Sequence, residues 1–160
     1  MEHRYANEIV GYNVRLTDVA AAIGREQLRK LAGWNKQRRA NAAALDAALG
    51  GIERLRTPAV AEGATHVYHQ YTVRVADGRR DALQAHLTAE GVGSAVYYPT
   101  PTHRLPAFAA LAEDAVRVPL PETDRAADEV LSLPVHPTLT DADLVRIGQA
   151  VRSFEFGDPR

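Results

Sequence analysis

The stretch His66-Val-Tyr-His-Gln-Tyr-Thr-Val-Arg-Val-Ala-Asp-Gly78 alternates with a period of two. Val67, His69, Tyr71, Val73 and Val75 fall on one side, and His66, Tyr68, Gln70, Thr72 and Arg74 on the other, the signature of a strand with one buried face. Asp77-Gly78 then turns the chain into a short helix over about Arg79–Glu90, where Leu83 and Leu87 share a face and Gly91 is the stop. A second strand is expected over Val92-Gly-Ser-Ala-Val-Tyr-Tyr98. It runs into Pro99-Thr-Pro101, and proline cannot donate to a central ladder.

Upstream of the strand, the apolar positions Leu16, Ala20, Ile23, Leu31, Trp34, Leu45 and Leu49 recur at helical spacing. This reads as one long helix, or two abutting ones bent at Gly33. Thr17 can cap it, Asp18 suits the positive end of its dipole, and Gly50-Gly51 ends it. Downstream, short helices are expected over Pro106–Ala112 and Thr123–Leu131. Leu131-Ser-Leu-Pro-Val-His-Pro137 is too rich in proline for a central strand. Thr140 and Asp143 form a capping box for a last helix, with Leu139 placed to staple onto Leu144. The pattern predicts an α+β fold in which a long N-terminal helix precedes a short, mostly antiparallel sheet covered by helices. Residues 1–15 read as an entry segment from a large domain outside this sequence, and residues 16–160 as a single small domain. A helix of that length cannot hide both sides, so part of it should lie against something outside the chain, such as a second copy.

Composition narrows the chemistry. With 19 basic against 20 acidic residues, there is no charge excess to favour nucleic acid. No apolar run is long enough to cross a bilayer, and Met1–Glu8 has no apolar leader, so a cytoplasmic protein without membrane contact is expected. The sequence holds no cysteine, which excludes thiolate nucleophiles and Cys-ligated zinc. Only Lys30 and Lys36 are lysines, so Schiff-base chemistry has two candidates, both inside the long helix.

Most local clusters have plain readings. On a strand, His66 and His69 point to opposite faces and do not form a metal pair; His69 would be a core or interface histidine. His86, near Glu90, reads as solvated, as does the run Lys36-Gln-Arg-Arg39. Gly91-x-Gly93 follows a helix and lacks a third glycine, so it is a turn rather than a dinucleotide fingerprint. Two segments stand out. Asn13 and Arg15, in Gly11-Tyr-Asn13-Val-Arg15, point the same way in an extended segment and offer amide donors and a guanidinium fork to a phosphate or carboxylate. Tyr97, Tyr98, His103 and Arg104 gather in a proline-stiffened loop of the kind that holds ligands. For either segment, a turn held by its own hydrogen bonds is the competing reading.

In this order the segments resemble the C-terminal portion of the pyridoxal-phosphate (PLP) sugar-nucleotide aminotransferases of the DegT/StrS type, within fold-type I. The motifs are Gly11-x-Asn13-x-Arg15, the Ala-rich helix through Arg38-Arg39, the aromatic strand His66–Val73, the loop with Tyr97 or Tyr98, Pro99, His103 and Pro106, and Leu131-Ser-Leu-Pro134 followed by Leu139-Thr-Asp141. The resemblance implies transfer of an amino group, usually from glutamate, to a nucleotide-linked keto-sugar. It implies that Asn13 reaches a cofactor phosphate across a dimer, with Arg15 as a further anionic-group contact, and that Tyr98 and His103 line the sugar-nucleotide end of the cleft. The family's catalytic lysine, pyridine-pairing aspartate and stacking ring have no counterpart here. No catalytic residue is therefore assigned, the isolated chain is expected to be inactive, and PLP would bind only with the absent domain or a partner chain. A homo-oligomer, or pairing with an N-terminal half, is expected. The alternative is a non-catalytic binding or interaction module derived from the family. A stand-alone enzyme using His103 and Tyr98 as acid and base lacks a visible carboxylate partner for the histidine.

Overall fold

The computed structural model describes residues 15–106 and 119–156. Its elements in chain order are α1 (Asp18–Leu49), β1 (Leu55–Arg56), β2 (Tyr71–Val75), α2 (Arg80–Ala89), a 3-10 turn (Thr102–Arg104), α3 (Pro121–Glu129), β3 (Val130–Leu133) and α4 (Asp141–Arg152). The described residues divide into two compact units at the Ala32–Gly33 boundary.

Helix α1 is a single α-helix of 32 residues, so of the two readings the unbroken one holds. Thr17 Oγ1 accepts the Ala20 amide at 3.3 Å, and Asp18 occupies the first turn. In the first unit Leu16, Val19, Ile23, Leu28 and Leu31 are exposed, and three of them belong to the apolar series read from the sequence. In the second unit Asn41, Ala42, Leu45 and Leu49 are buried. Gly51 ends the helix with φ +79, a conformation that glycine adopts without steric cost.

The sheet has the order β1-β2-β3 and is antiparallel throughout, pairing Leu55 with Val75 and Tyr71 with Leu133. The expected alternation is present from Tyr71 onward: Tyr71, Val73, Val75, Leu131 and Leu133 are buried in the core. Burying such a side chain contributes roughly 1.5–3 kcal/mol. On the opposite face, the hydroxyls of Thr72 and Ser132 are 2.8 Å apart. The strand starts later than its pattern, because Tyr68 takes φ 48 and gives its amide to His66 Nδ1 at 2.8 Å. That turn resets the alternation, so His69 is exposed rather than a core histidine.

The second expected strand contracts to one bridge, Ala95 with Ser132. The extended partner is instead Val130–Leu133, which shortens the helix expected to reach Leu131. In that strand Leu131 is fully buried. The strand stops at Leu133, ahead of Pro134 and Pro137, and stands last in the order β1-β2-β3 with only the Ala95 bridge beyond it. Of the helix expected over Pro106–Ala112, residues 107–112 lie outside the described residues.

Helices α1, α2 and α4 contribute to one core with the sheet. Helix α2 closes with a Schellman arrangement, in which Val92 N–H reaches Leu87 O at 2.8 Å and Gly91 N–H reaches Thr88 O at 3.0 Å. His86, expected to be solvated, instead ties α2 to α4: its Nε2 lies 3.0 Å from Ala150 O and 3.1 Å from Ser153 Oγ. The capping box of α4 forms as expected between Thr140 and Asp143. Arg152 holds the end of α1, donating to Ala48 O at 2.6 Å and Gly50 O at 2.9 Å.

Candidate functional site

Two open clefts lie side by side in the second unit and share Tyr97. The first, about 600 Å3, runs between the proline-stiffened loop and α3: Tyr98, Pro99, Thr102 and Leu105 form one wall, and Thr123, Ala126 and Val130 the other. Pro101, with φ −54 and ψ 141, sends the chain into the 3-10 turn that carries His103. The loop is pinned to α3 by one carboxylate, because Arg104 Nη2 donates to Asp124 Oδ2 at 2.5 Å. Asp124 Oδ1 is shielded from water and makes no hydrogen bond; His103 Nε2 stands 3.6 Å away. That distance is beyond a hydrogen bond. Tyr98 is 76% exposed, its ring open to whatever enters the cleft.

The loop thus brings Tyr98 and His103 to one region, with the histidine turned towards Asp124 while its neighbours Thr102 and Leu105 face the cleft. The carboxylate that the sequence did not reveal for His103 is Asp124. Its position in the first turn of α3, three residues after a helix-starting proline, was the only available signal.

The second cleft, about 620 Å3, has Arg38, His69, Gln70, Ser94, Ser132 and His136 among its lining residues. Arg38 is not merely a solvated residue of α1. Its guanidinium donates to Tyr68 O at 3.0 Å and His69 O at 3.3 Å and fixes the turn ahead of β2. Below it Asn41, fully buried, donates to His136 O at 2.8 Å and accepts from Gln37 Nε2 at 2.9 Å. The His136 ring, Nδ1 2.9 Å from Thr138 Oγ1, is exposed at the rim.

Arg15 precedes α1 and is exposed; Asn13 lies outside the described residues. Lys30 and Lys36 both sit on exposed positions of α1. A lysine activated for covalent catalysis requires desolvation or a neighbouring cation in a cup around its substrate. Neither position supplies that cup, so the lysines of this chain do not fit a PLP-anchoring role. Among the described residues no group of three or more His, Asp or Glu side chains could hold a metal ion, and no helix is long and apolar enough to cross a membrane.

The chain is similar to known proteins along nearly all of its length. It is 38% identical over 155 residues to a pleiotropic regulatory protein of Geobacillus stearothermophilus, covering 94% of this chain and 40% of that one. It is 37% identical over 151 residues to dTDP-3-amino-3,4,6-trideoxy-alpha-D-glucose transaminase of Streptomyces venezuelae, covering 94% and 39%. Among solved structures, DesV of S. venezuelae in complex with a ketimine intermediate superposes with a TM-score of 0.81 at 37% identity, covering 93% of this chain and 39% of that one. NtdA of Bacillus subtilis with bound cofactor PMP gives 0.78 at 26% identity, covering 94% and 36%. The chain therefore spans about two-fifths of the length of the relatives it matches. The DegT/DnrJ/EryC1/StrS aminotransferase family model matches residues 1–152, and this chain belongs to that family.

Proposed function

We propose that this chain is the C-terminal part of a PLP-dependent aminotransferase that moves an amino group from an amino acid to a nucleotide-linked keto-sugar. Family membership over residues 1–152 carries the reading, and the PMP bound to the B. subtilis relative supports the cofactor class. In the complete enzyme the cofactor supplies the electron sink for amino transfer, and protein groups orient it. Asn13 and Arg15, in an entry segment over residues 1–15, address its phosphate from a neighbouring subunit. Residues 16–160 form the small domain, whose Tyr98 and His103 face the sugar-nucleotide. The placement of Tyr98 and His103 in one loop beside an open cleft supports that assignment. The working protein is a cytoplasmic homo-oligomer or a pairing with an N-terminal half, and the exposed apolar side chains at the start of α1 favour such an assembly.

By itself the chain does not transaminate, because its two lysines are exposed helical residues. The test is a visible spectrum of the purified chain with added PLP, alongside an amino-transfer assay. The expected result is no band from a lysine-bound cofactor and no product. A stable yellow protein whose colour is lost in Lys30→Ala or Lys36→Ala overturns the reading. In a polypeptide that includes the lysine-bearing domain, Asn13→Ala should weaken cofactor retention roughly ten- to a hundredfold, the scale of a hydrogen bond to a charged group.

A further inference from the structure

A third cleft, polar and partly open, lies at the outer edge of the sheet, and no residue of the two clefts above lines it. Its walls carry four guanidiniums from separate parts of the fold: Arg54 from the turn before β1, Arg56 from β1, Arg74 from β2 and Arg125 from α3. Only two carboxylates, Glu53 and Glu129, line it with them. The register of the β1–β2 ladder sets Arg56 directly opposite Arg74. Like charges in facing positions destabilise a strand pair, so this arrangement calls for a compensating negative charge.

For three of the arginines the fold supplies one. Arg74 donates to Glu129 through Nε at 2.9 Å and Nη2 at 2.7 Å. Arg125 pairs with Glu122, and Arg54 lies 3.4 Å from Asp77 while donating to Phe156 O at 3.0 Å. Those contacts hold three guanidiniums in place around the cleft. Arg56 has no such partner among the described residues: its fork is left to solvent and to whatever occupies the cleft.

We propose that this cleft binds a phosphate-type oxyanion, with Arg56 as the primary contact and Arg74 as the opposing wall. A planar guanidinium matches tetrahedral oxyanions with two parallel hydrogen bonds, and the held neighbours need little reorganisation on binding. The cavity, about 230 Å3, accepts a phosphate or pyrophosphate with a few waters. The phosphoryl group can come from an inorganic ion or from a nucleotide. The site does not rest on the aminotransferase reading, and its test needs no turnover.

The experiment is thermal unfolding of the purified chain over a pyrophosphate series, with ionic strength matched by chloride. The wild type should gain stability along a saturating curve. Arg56→Ala should be at least as stable as the wild type without the anion, because a like-charge pair is removed, and should bind pyrophosphate at least roughly tenfold more weakly. Arg56→Lys, which keeps the charge and loses the fork, should fall between them. Arg39→Ala makes the same charge change on exposed α1 and should respond like the wild type. A nucleoside diphosphate matching pyrophosphate supports recognition of the phosphoryl group alone; tighter nucleotide binding supports the site and assigns it a nucleotide source. The proposal is overturned if the wild type gives no saturable gain, if Arg56→Ala keeps the full response, or if Arg39→Ala loses as much.

Discussion

Gly148→Ala is expected to probe a close approach between α1 and α4. A methyl at this buried glycine would lie 2.9 Å from Ala48 Cβ, against ordinary carbon–carbon contact of roughly 3.5–4 Å. Overpacking of this kind costs about 1–3 kcal/mol. Alanine is favoured over glycine inside a helix by about 1 kcal/mol, so the single variant should lose between about 0 and 2 kcal/mol. Ala48→Gly should lose about 1 kcal/mol of helix propensity together with a methyl's worth of burial. In the double variant the overlap is gone and the two propensity changes oppose each other. Its stability should exceed the sum of the single effects by the overlap term, about 1–3 kcal/mol. Urea unfolding of the four proteins, followed by circular dichroism and extrapolated linearly, gives this coupling directly. A coupling below about 0.5 kcal/mol, the limit for independent sites, would refute the steric account.

Two further outcomes follow from named contacts. The Tyr71 phenol donates to Asp46 Oδ1 at 2.6 Å, and burial first, then that bond, raise its ionisation far above the usual 10.0. The unfolded chain releases this proton above about pH 10 while the folded one keeps it, so stability should be level below that pH and fall above it. Tyr71→Phe should lose that component, which unfolding midpoints between pH 8 and pH 11 will show. Asp124→Ala should release Arg104 and the loop it anchors, speeding tryptic cleavage at Arg104 in timed digests. Global stability should shift by no more than about 0.5 kcal/mol, and an unchanged cleavage rate contradicts the anchoring role.

The α+β architecture was legible in local chemistry. The Thr17 cap, the Asp77-Gly78 turn, the Gly91 stop and the Thr140–Asp143 box are each decided by a few adjacent residues, and all four form. Where the reading failed, distant partners decided. The strand over Val92–Tyr98 yielded to Val130–Leu133 because burying Leu131 and Leu133 depends on the neighbour that β2 meets, which no local pattern reveals. His69 moved to the surface through a backbone turn at Tyr68, a residue with no glycine-like signal for positive φ. In the candidate site the loop carrying Tyr98 and His103 was readable from its prolines and polar groups. Asp124 was not, since it reaches the loop across 20 residues of sequence.

Asn41 carries a consequence for how α1 is seated. Each residue step turns an α-helix by about 100°. Asn41 is flanked by Ala40 and Ala42, so a one-residue slip would face the His136 carbonyl with a methyl and press the amide into the aliphatic core. An unpaired buried amide costs about 1–3 kcal/mol. Leu45 and Leu49 make burial favourable across a broad arc and would tolerate small rotations, whereas the amide accepts one angle. This single side chain therefore works as an angular key, setting which residues of the helix, Arg38 among them, are presented at the second cleft.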